Sequence, residues 1–281
     1  MNWMRPMRVP PDLAALRTAA LCVAVLASLL GTAADDLDGP SIMRKVDGRE
    51  DGRDARSAAT FLLENERGEQ RTRKIRRFWL DLDGKEGFHS RTVLFFTAPP
   101  DVADTGLLNW SYEETGKDDE QWLYLPAFRK TKRIAAAEKE DSFLGTDFSF
   151  EDMSRRKVDE DDHTVLGTET VDGKDYCKVE SVPKEKDYPY SKRISWVERD
   201  TWIVRKVEYY ARKGTLHKTL TAQWKQVKPA DGSAPVWMWE RALMVDHQKR
   251  HKTLVVTDSV ELNVGLSDDH FTKMRLEQGA K

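Results

Sequence analysis

The sequence predicts a mainly β protein built on one long antiparallel sheet. Apolar and polar residues alternate along many short segments rich in β-branched and aromatic residues, which is typical of half-buried strands. The segments are separated by turn sequences such as "DT", "KG" and "KPADGSAP", and short turns join antiparallel neighbours. Few stretches have helical periodicity. We therefore expect about ten to twelve strands and only short helices.

The predicted strands are clearest in the second half of the chain. They are "YSKRISWVER", "TWIVRKVEYYAR", "LHKTLTAQWKQV", "VWMWERALMVD" and "KTLVVTDSVEL". The first half repeats the pattern in "ATFLLEN", "KIRRFWLDLD", "RTVLFFTAPP", "LLNWSYEE" and "QWLYLP". One short helix is predicted in "PSIMRKVDGRED", with Ser41 as its N-cap and Gly48 as its end. A second helical turn is predicted at "SFEDM", where Ser149 and Asp152 have the spacing of a capping box.

A period of two assigns side chains to the faces of the sheet. One predicted group on a common face is Leu216, Leu220, Ala222 and Trp224, and a second is Trp237, Trp239, Leu243 and Val245. One face of the sheet is therefore apolar and rich in tryptophan. Such a face requires closure of the sheet, a covering helix, or a cavity that holds another molecule.

The N-terminus has the features of a cleavable export signal. Arg5, Arg8 and Arg17 form a positively charged region, an apolar stretch follows from Ala19 to Leu30, and "GTAAD" supplies small residues for cleavage. The apolar stretch is shorter than a membrane-spanning helix. We predict a signal peptide over residues 1–34, cleaved near Ala34, and a single β domain over residues 35–281.

Composition excludes some classes of function. The mature chain would keep only Cys177, so an internal disulfide is excluded. The formal net charge of the whole chain is −2, which gives no general attraction to nucleic acid. His247 and His251 are four residues apart, but the residues between them indicate a hairpin turn, so we predict no metal site and no cofactor.

No catalytic motif such as GxSxG or a Walker loop is found, and we predict that the protein is not an enzyme. The most suggestive carboxylates are Asp147, Glu151 and Asp152, which lie among three phenylalanines that could raise a pKa. The structural interpretation, in which Asp147 fixes a turn and the other two begin a helix, is favoured.

Two basic runs have two possible roles. They are "RTRKIRR", with Arg71, Arg73 and Arg77 on one strand face, and "RKTKR" at 129–133. Lysine and arginine commonly protect an exposed strand edge from aggregation, which is the favoured interpretation. The functional alternative is a rim that meets lipid headgroups or an acidic partner.

Several segments together resemble one protein family. "WLYLPAFRKTKRI", "SFLGTDFSFEDM" and "YSKRISWVERDTWIVRKVEYYARKGTLHKTL" are similar to the LolA-like outer-membrane lipoprotein-sorting proteins of the LolA and LolB superfamily. "FFTAPPDVADTGLL" is similar to the same family, although Asp104 stands where a glycine is common. The resemblance extends over nearly the whole mature chain, and the combined pattern is more specific than any one segment.

The resemblance implies a half-open, unclosed antiparallel β-barrel wrapped around short helices. It also implies a periplasmic carrier of lipid or lipoprotein acyl chains, working with an inner-membrane exporter of the RND type and touching membranes transiently. The residues expected to line its apolar cavity are Trp79, Phe95, Trp110, Trp122, Tyr124, Trp196, Trp224, Trp237 and Trp239. The residues expected at its mouth or lid are Arg129, Lys130, Arg133, Phe143, Gly145, Asp147, Phe148 and Phe150.

Two classes of function besides a carrier stay open at the level of sequence. A non-transporting interaction or sensor module of the envelope would use the same scaffold with an empty or collapsed cavity. An enzyme would require one of the carboxylates Asp147, Glu151 or Asp152 to act in turnover.

Overall fold

The computed structural model describes residues 37–280, whose thirteen strands form one antiparallel sheet. The strands are β1 (Asp54–Glu64), β2 (Gln70–Asp81), β3 (Phe88–Ala98), β4 (Gly106–Tyr112), β5 (Glu120–Leu125), β6 (Lys130–Arg133), β7 (Asp161–Val171), β8 (Lys174–Pro183), β9 (Tyr190–Glu198), β10 (Val204–Ala211), β11 (Leu216–Val227), β12 (Val236–Asp246) and β13 (His251–Leu262). The α-helices are α1 (Gly39–Asp47) and α2 (Lys273–Glu277). The mainly β class is confirmed, with slightly more strands than expected.

The sheet consists of two meanders joined side by side. Its strand order is β6-β5-β4-β3-β2-β1-β13-β12-β11-β10-β9-β8-β7, so the first and last strands of the chain pair at the centre. The sheet stays open, with β6 and β7 as its edges. This arrangement confirms the predicted unclosed antiparallel sheet. The division into a signal peptide and one domain stays a prediction, because residues 1–34 lie outside the described residues.

The alternation of side chains along the first meander creates two separate apolar layers. On β3, Leu94 and Phe96 belong to one buried cluster, whereas Val93 and Phe95 belong to another. Successive strand residues point to opposite faces, so these clusters lie on opposite sides of the sheet. We call the Leu94 side the inner face and the Val93 side the outer face.

The inner face is covered by α1 and by residues 142–153, which we call the plug. The N-cap of α1 is Asp38, whose carboxylate accepts a hydrogen bond from the Ser41 backbone at 2.8 Å. The prediction that Ser41 caps this helix is therefore wrong, because Ser41 already lies inside it. Gly48 ends the helix as predicted, and its N–H donates to the Arg44 carbonyl at 2.8 Å.

A β-bulge changes which residues of β12 face inward. The pairing of β12 with β11 skips Glu240, and a bulge interrupts the strict period of two. Ala242 consequently packs on the inner face with Trp239 and is fully buried. The predicted grouping of Trp239 with Leu243 and Val245 is wrong for this reason.

The two basic runs differ in how much of each lies on a sheet edge. In the run at 129–133, residues Lys130–Arg133 form β6, which is an edge strand, as the protective interpretation requires. The run at 71–77 lies on β2, which pairs with β1 along the whole run but with β3 only from Lys74 onward. The edge interpretation therefore holds for Arg71 and Arg73 and is wrong for Arg77. Arg77 is half-buried, and burial lowers its pKa to about 10 although Asp51 opposes the shift. Arg77 therefore stays charged at neutral pH.

No helix between residues 37 and 280 is long and apolar enough to cross a membrane. In the same range, no group of three or more His, Cys, Asp or Glu side chains is arranged to hold a metal ion.

Candidate functional site

An apolar cavity of about 290 Å³ lies on the inner face between α1 and strands β8 to β12. Met43 and Val46 of α1, with Arg49 just after the helix, form one wall. The strand residues that line the cavity are Ser181, Arg193, Ser195, Val204, Val207, Tyr209, Leu220, Trp224 and Trp239. Its volume is just below the range of about 300–1,000 Å³ that is typical of ligand pockets.

Two tryptophans form the aromatic part of the cavity wall. The rings of Trp224 and Trp239 meet edge to face with their centroids 6.1 Å apart. The Trp224 indole N–H donates to the Val204 carbonyl at 2.9 Å, which fixes the ring and satisfies its only donor. These two rings therefore present carbon surface to the cavity.

A second bulge brings two valines to the same wall. The pairing of β10 with β9 skips Arg205. Val204 and Val207 are three residues apart and would face opposite sides of a regular strand. The extra residue allows both to line the cavity.

Two arginines are the only charged side chains among the residues that line this cavity. The Arg49 guanidinium stacks on the Trp224 ring, with 4.6 Å from its central carbon to the ring centroid. One nitrogen of Arg49 contacts the Asp51 carboxylate at 3.1 Å. Arg193 forms a salt bridge with Asp161, a carboxylate that is fully buried.

Burial and neighbouring charges act in opposite directions on Arg193. Burial disfavours its charged form, but Tyr188 and the Asp161 carboxylate outweigh burial and raise the pKa of Arg193. The pKa of Asp161 is lowered in turn, since Arg193 and Arg156 outweigh the effect of burial on it. The ion pair is therefore fully charged at neutral pH.

Four of the aromatic residues predicted to line a cavity lie on the outer face instead. Phe95 and Trp122 are buried there beneath the C-terminal segment, together with Phe271 and Leu276. Trp110 and Tyr124 pack against the same cluster.

The fit between this cluster and the C-terminal segment is close. The Trp110 indole N–H donates to the Phe271 carbonyl at 2.9 Å. A Cβ atom at Gly106 would lie only 2.6 Å from the Leu276 side chain, so a larger residue here would force the packed side chains to shift. The C-terminal segment therefore completes a filled core on the outer face.

The other predicted aromatic residues are spread over the sheet. Trp196 packs on the outer face with Tyr176 and Ile194, and its indole N–H donates to Glu169 at 2.8 Å. Trp79 packs against a separate cluster that includes Ala55. Trp237 is half-buried on β12. Of the nine predicted residues, the structure places Trp224 and Trp239 on the 290 Å³ cavity.

The plug packs three phenylalanines against the inner face. Phe143 and Phe150 belong to the inner cluster of the first meander, with their ring centroids 5.7 Å apart. Phe148 packs against Val207 and other residues of the second meander. Gly145 has φ of +78° at the turn of the plug, a conformation that favours glycine. The plug therefore bridges the two meanders.

Asp147 fastens the plug to β13. Its carboxylate accepts a hydrogen bond from the Thr253 hydroxyl at 2.6 Å and lies 2.7 Å from a ring nitrogen of His251. The Asp147 N–H donates to Thr253 at 3.0 Å. Asp147 thus fixes the turn, which is the structural role favoured by the sequence.

The predicted basic residues of the mouth lie away from these contacts. Arg129, Lys130 and Arg133 are exposed at and next to β6, and Arg133 pairs with Glu120 on the neighbouring strand.

Comparison with known proteins places this architecture in a family. The chain is 32% identical to an outer-membrane lipoprotein-sorting protein domain from Vibrio parahaemolyticus, with a TM-score of 0.77 over 85% of this chain and 98% of the other. It is 29% identical to a DUF1329 family protein from Desulfovibrio piger, with a TM-score of 0.77 over 85% and 97% of the two chains. The chain belongs to the LolA-like family of lipoprotein-sorting proteins.

Two further comparisons concern the fold and a family model. A LolA superfamily protein from Nitrosomonas europaea shares the fold at 18% identity, with a TM-score of 0.62 over 85% of this chain and 99% of the other. A family model described only as an uncharacterized protein matches residues 89–278. No curated protein matches the chain.

In this LolA-like protein, the Asp152 carboxylate of the plug has structural partners. Asp152 accepts hydrogen bonds from the Lys218 ammonium and the Tyr190 hydroxyl, each at 2.9 Å. It also exchanges hydrogen bonds with Ser149 at 2.8 and 3.1 Å, which confirms the predicted capping box. Burial raises the pKa of Glu151. A polar cavity of about 60 Å³ beside Glu151 holds only about two groups the size of water.

Sequence reasoning missed most of the cavity wall. Arg49 and Arg193 were not predicted as site residues, and neither were Met43, Val46 and Val207. The short α1 helix has no signal that shows which strands it covers, and the bulge at Arg205 hides the shared face of the β10 valines. Besides the predicted Trp224 and Trp239, only Leu220 was assigned to the correct face, because the period of two grouped it with Trp224.

Proposed function

We propose that this LolA-like protein is a periplasmic carrier that shelters an acyl chain of a lipid or lipoprotein in the cavity beneath α1. The observation that supports the proposal is a wall that offers carbon surface on the inner face, formed by Val204, Val207, Leu220, Trp224 and Trp239. The family relationship to a lipoprotein-sorting protein domain supports the same ligand class.

The size of the cavity limits how much of an acyl chain it shelters. At about 30 Å³ for each group the size of a water or a methylene, about ten such groups fill 290 Å³. Ten methylenes removed from water contribute roughly 8 kcal/mol before the costs of association. A longer chain requires α1 or the plug to shift.

The proposal includes a cellular location and a partner for this carrier. The predicted signal peptide would deliver the mature chain to the periplasm, where an inner-membrane exporter of the RND type would be a donor. Contact with either membrane would then be transient.

A pair of variants tests the carrier function. Trp224→Glu places a carboxylate in the cavity, whereas Trp196→Glu places one on the outer face beside Lys178 and Lys206, whose ammonium groups lie 4.8 and 4.1 Å from that ring. Each protein is exported, purified without detergent and extracted with organic solvent for mass spectrometry. We expect stoichiometric lipid or acylated peptide from the wild type and Trp196→Glu, and none from folded Trp224→Glu.

A second candidate function is a non-transporting interaction or sensor module. It is favoured by the plug, whose three phenylalanines already fill much of the inner face. Wild-type protein that is free of ligand, and stays so after incubation with envelope lipids, would contradict the carrier and support this module. A tightly bound partner protein would then be expected in crosslinking.

A further inference from the structure

The cavity wall contains hydrogen-bond donors that have no partner within the protein. Nε and Nη1 of Arg49 are buried and make no hydrogen bond, and the same is true of Nε of Arg193. Both side chains line the cavity. A buried donor without a partner is costly, and native structures normally satisfy it.

The charged side chains that line the cavity are all positive. The twelve described residues that line the cavity include Arg49 and Arg193 and no carboxylate. Asp51 and Asp161 pair with these arginines but are not part of the lining. A ligand in the cavity therefore meets guanidinium groups beside carbon surface, and the carboxylates that pair with these groups are not part of the surface it contacts.

We propose that the cavity selects an amphiphile with one acyl chain and an anionic, oxygen-rich headgroup, such as a carboxylate or phosphate, that accepts hydrogen bonds from Arg49 and Arg193. This inference rests on the proposed function, because the acyl chain occupies the same cavity. Guanidinium groups suit such headgroups, since their N–H donors match the geometry of carboxylate and phosphate oxygens. The stacking of Arg49 on Trp224 holds its donors at the boundary between the aromatic and polar parts of the wall.

Four probes, which separate the contribution of the tail from that of the headgroup, test the inference in the mature protein. Decanoate has the tail and an anionic head, decanol has the tail with a neutral head, decyltrimethylammonium has the tail with a cationic head, and acetate has the head alone. Binding is measured by isothermal titration calorimetry below the micellar concentration. Decanoate is expected to bind at least about tenfold more tightly than decanol, because hydrogen bonds to a charged group are stronger than neutral ones. Acetate and decyltrimethylammonium are expected to bind much more weakly than decanoate.

Arg49→Gln should reduce the preference for decanoate over decanol to less than about threefold while decanol still binds. Arg44→Gln is the matched control, since Arg44 lies on α1, the helix that ends just before Arg49, is 62% exposed and does not line the cavity. Its preference for decanoate should equal that of the wild type. Circular dichroism verifies that each variant is folded. If Arg49→Gln does not fold, the affinities of the wild type for the four probes still test headgroup selection.

The outcomes separate this inference from the carrier function. Equal affinity for decanoate and decanol would overturn headgroup selection and leave the carrier intact. Acetate binding as tightly as decanoate would show a small-anion site and also overturn it. Failure of all three tailed probes would contradict the proposed carrier itself.

Discussion

Phe143 of the plug gives the sharpest test of how the inner face is packed. Its side chain is 0% exposed, and its ring centroid lies 5.6 Å from that of Phe96 and 5.7 Å from that of Phe150. Truncation to alanine removes the whole ring from this cluster. Burial of a phenylalanine removes about 150–250 Å² from water. At about 25 cal/mol per Å², this corresponds to roughly 4–6 kcal/mol as an upper bound.

We expect Phe143→Ala to lower the free energy of unfolding by about 3–5 kcal/mol, as is usual for Phe→Ala in a core. Equilibrium unfolding in urea, followed by circular dichroism, measures the change. Phe128→Ala is the matched control, since Phe128 is 70% exposed and its loss should cost less than about 0.5 kcal/mol. A loss below about 1 kcal/mol for Phe143→Ala would refute the reasoning, because the plug would then not be packed as part of the core.

Three further predictions concern the polar groups that hold the fold. Lys218→Met leaves the Asp152 carboxylate without its ammonium partner in a site where both side chains are less than 10% exposed, so the loss in unfolding free energy should be about 3–5 kcal/mol. The double variant Lys218→Met with Asp152→Leu should lose less unfolding free energy than Lys218→Met alone, because no unpaired charge stays buried. A double variant as unstable as Lys218→Met would contradict this. For Asp246, burial disfavours ionisation, but His217 and the backbone N–H of Lys249 outweigh it and lower the pKa from 3.8 to about 2. The carboxylate therefore stabilises the fold above pH 3.8, and this contribution, about 1–2 kcal/mol after allowance for solvent screening, is lost as pH falls toward 2. Urea unfolding of Asp246→Asn should show a flatter pH dependence between 4 and 2, and an unchanged slope would contradict the assignment. Finally, Lys130→Thr with Lys132→Val removes two charges from edge strand β6 and should cause concentration-dependent association in light scattering. A variant that stays monomeric at high concentration would show that these lysines do not protect the edge.

The strands were predictable because their signal is local. Alternation and short turns within each segment indicate a meander, and they need no knowledge of distant contacts. The same holds for the capping box of Ser149 and Asp152, whose hydrogen bonds join residues three positions apart.

The contents of each face were predictable only in part. Trp110 is 161 residues from Phe271, whose carbonyl it contacts, and no local pattern shows that the C-terminal segment covers that side. The bulges at Arg205 and Glu240 reverse the assignment of faces beyond them, because one extra residue shifts a period of two. Trp224 was placed correctly with Leu220, since no bulge separates them on β11, but its partner Arg49 comes from a helix that sequence alone does not position.

The central claim is that the acyl chain lies beneath α1 on the inner face. Photocrosslinking measures its position most directly: a fatty acid with a diazirine in its chain is bound to the mature protein, irradiated, and the labelled peptides are mapped by mass spectrometry. We predict labels on α1 near Met43 and Val46 and on β10 to β12 near Val207 and Trp239. Labels on the C-terminal segment around Phe271, or on the aromatic residues beneath it, would contradict the claim.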